Sequence, residues 1–447
     1  MKKILLYIPA LLLLFSLQSK AQRQAWTLEE CINYAIENNI TLKQIELEQQ
    51  DQEVLLNTSR NSWLPNLNAN VGQDFNFGRT ITEDNTYDNI NTASTQAYLS
   101  LNMPVFDGFK IQNDIAARKL DLLASIENLN KAKEDLAMNV TSYYITVLFN
   151  KEILHIAELQ VLLSQEQVER TEVLVNTGKV PLSQLYDIKA QLADNEVTLA
   201  EARNNVSISL LDLVQALELE RSGGNFNIIE PSTENVIEKY MGSLLPPDDI
   251  FDYAVTFKPQ IKAQEYLLEG QKKNLKIAQS SYYPQLSLNA SWGSRYYHAY
   301  GDEYPNESFG NSIKNNESKG IGLSLSIPIF NRFQVRNSVR RARLGILNQE
   351  LEIDKTKKTL YKEIQTAYYN ATAAQEKYIA SEKSVEATQE AFKYAEERYS
   401  AGKSTAYEFN EAKTNYAKSL SELAQAKYNF IFCAKILDFY NGIPITL

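Results

Sequence analysis

The chain carries one pattern twice, about 220 residues apart. Leu64-Pro65-Asn66-Leu67-Asn68-Ala69-Asn70 in the first half is answered by Tyr283-Pro284-Gln285-Leu286-Ser287-Leu288-Asn289-Ala290 in the second. Further on, Met103-Pro104-Val105-Phe106-Asp107-Gly108-Phe109 is answered by Ile327-Pro328-Ile329-Phe330-Asn331-Arg332-Phe333, and Asn176-Thr177-Gly178-Lys179 by Ser400-Ala401-Gly402-Lys403. The helical stretch from Tyr34 to Lys43 has its counterpart from Tyr253 to Lys262. Each copy therefore reads as short helix, strand, loop, strand, long helix, tip, long helix. Such duplication constrains the fold more than any single motif, because it demands one architecture built from two like halves.

The strands alternate with period two. Leu67, Ala69, Val71, Phe75 and Phe77 lie between Asn66, Asn68, Asn70, Gly72, Asp74 and Asn76. A second strand sets Ala97, Leu99, Leu101 and Met103 against Gln96, Ser100 and Asn102. A third sets Leu286, Leu288, Ala290 and Trp292 against Ser287, Asn289, Ser291 and Gly293, and a fourth Ile321, Leu323, Leu325 and Ile327 against Gly322, Ser324 and Ser326. One greasy face and one face of amides and hydroxyls is the mark of a barrel strand between lipid and a wet lumen. The polar segments Gly78–Asn91 and Gly301–Lys319 suit outward loops. Trp63, Tyr98, Tyr282, Tyr283, Trp292, Tyr296 and Tyr297 are expected near the strand ends, where amphipathic rings favour the membrane interface. Four strands cannot close a barrel, and an open edge in lipid leaves backbone groups unpaired at high cost. The membrane reading therefore requires several copies of the chain. Two would supply eight strands and three twelve, and the residues themselves do not choose between them.

The start of the chain fits this destination. Lys2 and Lys3, the apolar run Ile4–Leu17 and Ser19-Lys20-Ala21 form a secretory leader over residues 1–21. Beyond it no apolar run approaches the roughly 20 residues a spanning helix needs, so any crossing must be made by strands. The formal net charge of −10, which loss of three leader lysines makes more negative, disfavours nucleic acid as a partner. Cys31 and Cys433 are far apart, fit no metal spacing and are expected as two buried thiols.

Between the strands lie very long helices. No Gly or Pro occurs from Phe109 to Thr177, and only Gly345 from Asn331 to Ala401. Leu192, Leu199, Val206 and Leu210, and later Leu420, Leu423, Ala426 and Phe430, recur as narrow seams of the coiled-coil kind. The expected organisation is a first repeat over 22–220, a linking segment over 221–249 and a second repeat over 250–447. Strands are expected at about 64–77, 95–105, 285–297 and 320–329, and long helices at about 108–177, 182–220, 331–401 and 403–441.

In this order and spacing the chain resembles the TolC-like outer-membrane efflux proteins, from about Trp26 to Asn441. The resemblance rests on the tandem repeat, the Pro-Val-Phe-Asp-Gly and Pro-Ile-Phe-Asn-Arg turns, the Arg398-Tyr399-Ser400-Ala401-Gly402-Lys403 tip and the opening Trp26–Asn39. It implies an α+β membrane protein: a homotrimer whose twelve strands form one β-barrel in outer-membrane lipid, continued by an α-helical coiled-coil barrel in the periplasm. It also implies docking on a periplasmic adaptor and, through it, an inner-membrane pump. The tip residues Gly178, Lys179, Gly402 and Lys403 are then the expected docking points. Glu408 and Glu411, with Gln184 and Asp187 at the matching offsets of the first copy, are expected at the narrow entrance, and Tyr399 stands where the family's closing tyrosine would.

Glu408 and Glu411 lie three apart and so share a helix face. Repeated around an axis, such acids would attract cations and raise one another's pKa values. Other chemistry finds little footing. Gly402-Lys403-Ser404 lacks the earlier glycine of a phosphate loop, Glu397 standing in its place. The two histidines, His155 and His298, have no paired ligand at metal spacing. No cofactor, metal or catalytic residue is expected. The competing class is a secreted coiled-coil structural or adhesive protein, which would account for the helices but not for two matched pairs of alternating strands.

Overall fold

A computed structural model of the protein describes residues 25–81, 85–219, 226–232, 234–242, 244–301 and 305–446. The leader expected over 1–21 lies outside the described residues. Each copy opens with helices of 11 and 22 residues: α1 (Leu28–Asn38) and α2 (Ile40–Asn61), then α6 (Pro247–Phe257) and α7 (Pro259–Ser280). Each closes with helices of 67 and 35 residues: α3 (Lys110–Asn176) and α4 (Leu182–Ala216), then α9 (Gln334–Ser400) and α10 (Ala406–Tyr440). At 1.5 Å rise per residue a 67-residue helix runs about 100 Å. A short helix α5 (Glu234–Met241) lies between the copies. Among the described residues no helix is long and apolar enough to cross a membrane.

The chain divides into two compact units. One comprises residues 47–128 and 260–355 and holds the sheet. Strands β1 (Asn66–Asn76), β4 (Asn91–Phe106), β5 (Gln285–Tyr300) and β6 (Ser318–Ser326) pair antiparallel in the order β1-β4-β5-β6. The central β4–β5 pairing joins the two copies. The register brings like residues into rows: Leu67, Leu101, Ala290 and Ile321 on one face, Asn66, Asn102, Asn289 and Gly322 on the other. Within the amide row Asn102 Nδ2 donates to Asn289 Oδ1 at 2.6 Å. The apolar row is not covered: Leu67 is 65% exposed, Val71 77% and Ile321 80%. Burying such a row needs a solvent that is itself apolar, as lipid is. β1 and β6 each pair on one side only among the described residues.

Three details differ from the sequence expectation. The first outward segment carries a small ribbon, β2 (Arg79–Ile81) with β3 (Tyr87–Asn89), and the second a short helix, α8 (Phe309–Asn315). Tyr98 and Trp292 sit in the middle of their strands rather than at the ends, and Tyr98 lies across the pair from Gly293, whose missing side chain leaves room for the ring. Pairing geometry, not the interface preference of aromatic rings, fixes those two.

The other unit comprises residues up to 46, 129–259 and 356–447. Its centre is Tyr144, 1% exposed, whose hydroxyl donates to the Ile229 carbonyl at 2.6 Å and lies 3.1 Å from that of Trp26. Phe430, Ile431 and Leu213 are equally enclosed. Cys31 and Cys433 are buried free thiols, as their spacing suggested. The seam on α4 differs in detail. The deepest heptad row is Ile188, Asn195, Ala202 and Ser209, while Leu192, Leu199 and Val206 flank it half-buried. Asn195, Ala202 and Ser209 are small or polar and let helices approach closely, so they, and not Leu192, Leu199 and Val206, take the centre of that stretch.

Candidate functional site: the two helical tips

Both tips end their long helices in the same motif. Gly178 has φ +72° and Gly402 φ +69°, left-handed values that a side chain disfavours. Gly178 N donates to the Val175 carbonyl and Lys179 N to that of Leu174, both at 2.9 Å. Gly402 N and Lys403 N donate likewise to Tyr399 at 3.1 Å and Arg398 at 2.8 Å. This paired 5→2 and 6→1 bonding satisfies carbonyls that a helix end otherwise leaves open. Gly178, Lys179, Gly402 and Lys403 are all exposed.

The next helices start differently. α4 begins after Pro181, which makes no side-chain cap bond. α10 begins with a capping box: Thr405 Oγ1 accepts from Glu408 N at 3.2 Å, and Glu408 Oε2 accepts from Thr405 N at 3.1 Å. Ser404 Oγ adds a bond to Glu408 Oε2 at 2.9 Å. The hydroxyl of Ser404 and the backbone N–H of Thr405 hold the Glu408 carboxyl below its ordinary range. Within the protomer Glu408 is thus occupied at the helix start, opposing the raised pKa that crowding of acids would give it. Asp187 and Glu411 are exposed one turn further in.

The structure brings the two tips together. Gln184 Nε2 on α4 lies 3.4 Å from the Tyr399 hydroxyl on α9. Arg170 on α3 donates to Ser400 Oγ at 2.9 Å and to the Ser400 carbonyl at 3.3 Å, with its guanidinium 5.9 Å from the Tyr399 ring centre. The Tyr399 ring stacks on Phe409 of α10, which leans on Phe392, which stacks on Tyr416. Tyr399 is therefore a hub between the hairpins. Arg170 escaped the sequence reading because a lone arginine on a charged helix face carries no local signal.

Behind the tips the long helices share buried hydroxyl and amide bonds. Asn195 Nδ2 on α4 donates to Ser164 Oγ on α3 at 2.6 Å, and Ser419 on α10 bonds Thr388 on α9 at 2.6 Å. The two pairs are related by the same sequence offset as the tip glycines, so the duplication extends to polar packing. The Ser164 pair of the first copy gains a third member from the second copy: Lys413 of α10, 6% exposed, whose ammonium donates to Ser164 Oγ. Burial alone lowers the Lys413 ammonium to about 8. On the same two helices, the enclosed atoms Gln167 Nε2, Thr171 Oγ1 and Asn410 Oδ1 find no hydrogen-bond partner among the described residues.

Known proteins share this arrangement. The outer membrane efflux protein family model matches residues 31–218 and 254–431, once per copy. The outer membrane protein TolC of Escherichia coli is 25% identical over 403 residues, covering 84% of this chain and 74% of that protein. The alkaline protease secretion protein AprF of Pseudomonas aeruginosa is 20% identical over 367 residues, covering 81% and 71%. Among solved structures, the Campylobacter jejuni CmeC outer membrane channel superposes with a TM-score of 0.74 at 18% identity, over 93% of this chain and 86% of that one. A duplicated chain with amide-faced strands, an uncovered apolar row and paired helical hairpins, matched by one family model in both halves, belongs to the outer membrane efflux protein family.

Proposed function

We infer that the protein is the outer-membrane exit duct of a tripartite efflux or type I secretion system. Three copies close the strands into one barrel in the outer membrane of a Gram-negative bacterium. Their long helices form the periplasmic tunnel. A periplasmic adaptor and an inner-membrane pump deliver small molecules or an exported protein to it. Its work is conduction, not catalysis. The observation that carries this reading is the four-stranded sheet, apolar on one face and unpaired at both edges among the described residues, in a chain of this family. Detergent extraction from outer membranes tests it. A heat-modifiable trimer that conducts ions in planar bilayers is expected, and a water-soluble monomer would end the reading.

The tips are the entrance in this proposal. Gly178, Lys179, Gly402 and Lys403 meet the adaptor, and the hub of Tyr399, Gln184 and Arg170 holds the hairpins closed. The ionised Glu408 and the exposed Glu411 and Asp187 give the entrance its negative field. Neutralising Glu408, Glu411 and Asp187 together to Gln, Gln and Asn is expected to reduce cation selectivity in bilayers. An unchanged reversal potential would remove these acids from the entrance.

A further inference from the structure

At the end of the sheet where the strands meet the helices, the two copies diverge in charge. In the first copy the buried Asp107 carboxylate accepts from Lys110 N at 3.1 Å and Ile111 N at 2.8 Å, so the start of α3 has a built-in anion. In the second copy Asn331 stands at the equivalent place, and the first turn of α9 contains no acid. Instead Arg336, Arg340 and Arg343 follow at helical spacing on one face. Arg336, in the first turn of α9, opposes the macrodipole, and Arg340 and Arg343 add like-charge repulsion at i,i+4 and i,i+3, so the cluster is unfavourable unless an anion joins it.

The three arginines, with Lys276 of α7, line a cavity of about 880 Å³, which also has Tyr282 and Phe109 in its wall. No carboxylate lines it. Among the described residues none of the four cations forms an ion pair, and all four are exposed. Asp114 and Asp121 are committed to Arg118. The rim is aromatic: Phe109 packs edge-on against Phe106 and Tyr283, and Phe330 against Phe333. Phe330 is 73% exposed. Guanidinium groups suited to bidentate phosphate contact, beside rings suited to the headgroup level of a bilayer, recur where a protein holds an anionic lipid.

We propose that the cavity walled by Lys276, Arg336, Arg340 and Arg343 binds the phosphate of an anionic phospholipid headgroup in the leaflet facing the helices. The proposal rests on the outer-membrane reading above. The lipid would supply the second copy with the negative charge that Asp107 supplies to the first.

Native mass spectrometry of the detergent-solubilised full-length trimer tests it, with phosphatidylglycerol, phosphatidylcholine and inorganic phosphate as separate probes. Phosphatidylglycerol is expected to be retained in preference to phosphatidylcholine. The R336Q/R340Q/R343Q variant should lose that preference on the order of tenfold, and the single R340Q variant should lose part of it. Equal retention of the two lipids, or a preference unchanged in the variants, overturns the site. Retention of inorganic phosphate without a lipid preference overturns the lipid source. Heat-modifiable migration of each variant shows that the trimer has formed. Absence of a trimer in the unsubstituted protein would instead count against the channel reading.

Discussion

Residues near the tips illustrate how much a single side chain can report. Gly178 and Gly402 were legible in the sequence, because a chain reversing between long helices needs a left-handed residue. Open space surrounds both, so the backbone angle is the sole constraint. Gly402→Ala is therefore expected to cost about 1 kcal/mol, read as a lower urea midpoint of the helical signal. Lys413 was not legible, since nothing local distinguishes it from solvated lysines nearby. Its folded value of about 8 lies below the ordinary 10.5. Below pH 8 both folded and unfolded chains hold the proton, and the full cost of burying charge is present. Between those values unfolding takes up a proton, so stability rises with pH by an amount on the order of 3 kcal/mol. Lys413→Met should raise the thermal midpoint at neutral pH and abolish the gain on going to about pH 9.5. Circular dichroism in detergent checks both, and a wild-type midpoint that falls with pH in that window would refute the assignment.

Elements were legible where periodicity was strong. Both copies repeat helices of 11, 22, 67 and 35 residues, and the absence of Gly and Pro over the long stretches announced the two longest. Which row lies deepest was not legible. Hydrophobicity pointed to Leu192, Leu199 and Val206, but interhelical distance selected Ile188, Asn195, Ala202 and Ser209. The contact between hairpins likewise depends on elements far apart in sequence. Removing it with Arg170→Ala and Tyr399→Phe together should raise single-channel conductance in planar bilayers, while each change alone does less. Conductance equal to that of the unsubstituted protein would show that the Tyr399 hub does not restrain the tips.

For the whole molecule, the two free edges of the sheet are decisive. Among the described residues, β1 and β6 each leave one edge of backbone groups unpaired, which neither water nor side chains can satisfy within a bilayer. Pairing β1 of one copy with β6 of the next removes both edges. Single cysteines placed along β1 and along β6, in a background where Cys31 and Cys433 are replaced by Ala, should cross-link in some register as a covalent trimer. Cross-linking confined to dimers would call for a different closure.

The sequence by itself determined the duplication, the four alternating strands, the long helices and the turn glycines. Each depends on residues close along the chain, where periodicity and backbone propensity act directly. Only the tertiary structure decided that like residues align in rows across β1, β4, β5 and β6. Likewise it placed Arg170 and Gln184 at Tyr399, took Glu408 into a cap and buried Lys413 beside Ser164. Those outcomes turn on distances between segments remote in sequence, which packing sets and no local pattern encodes.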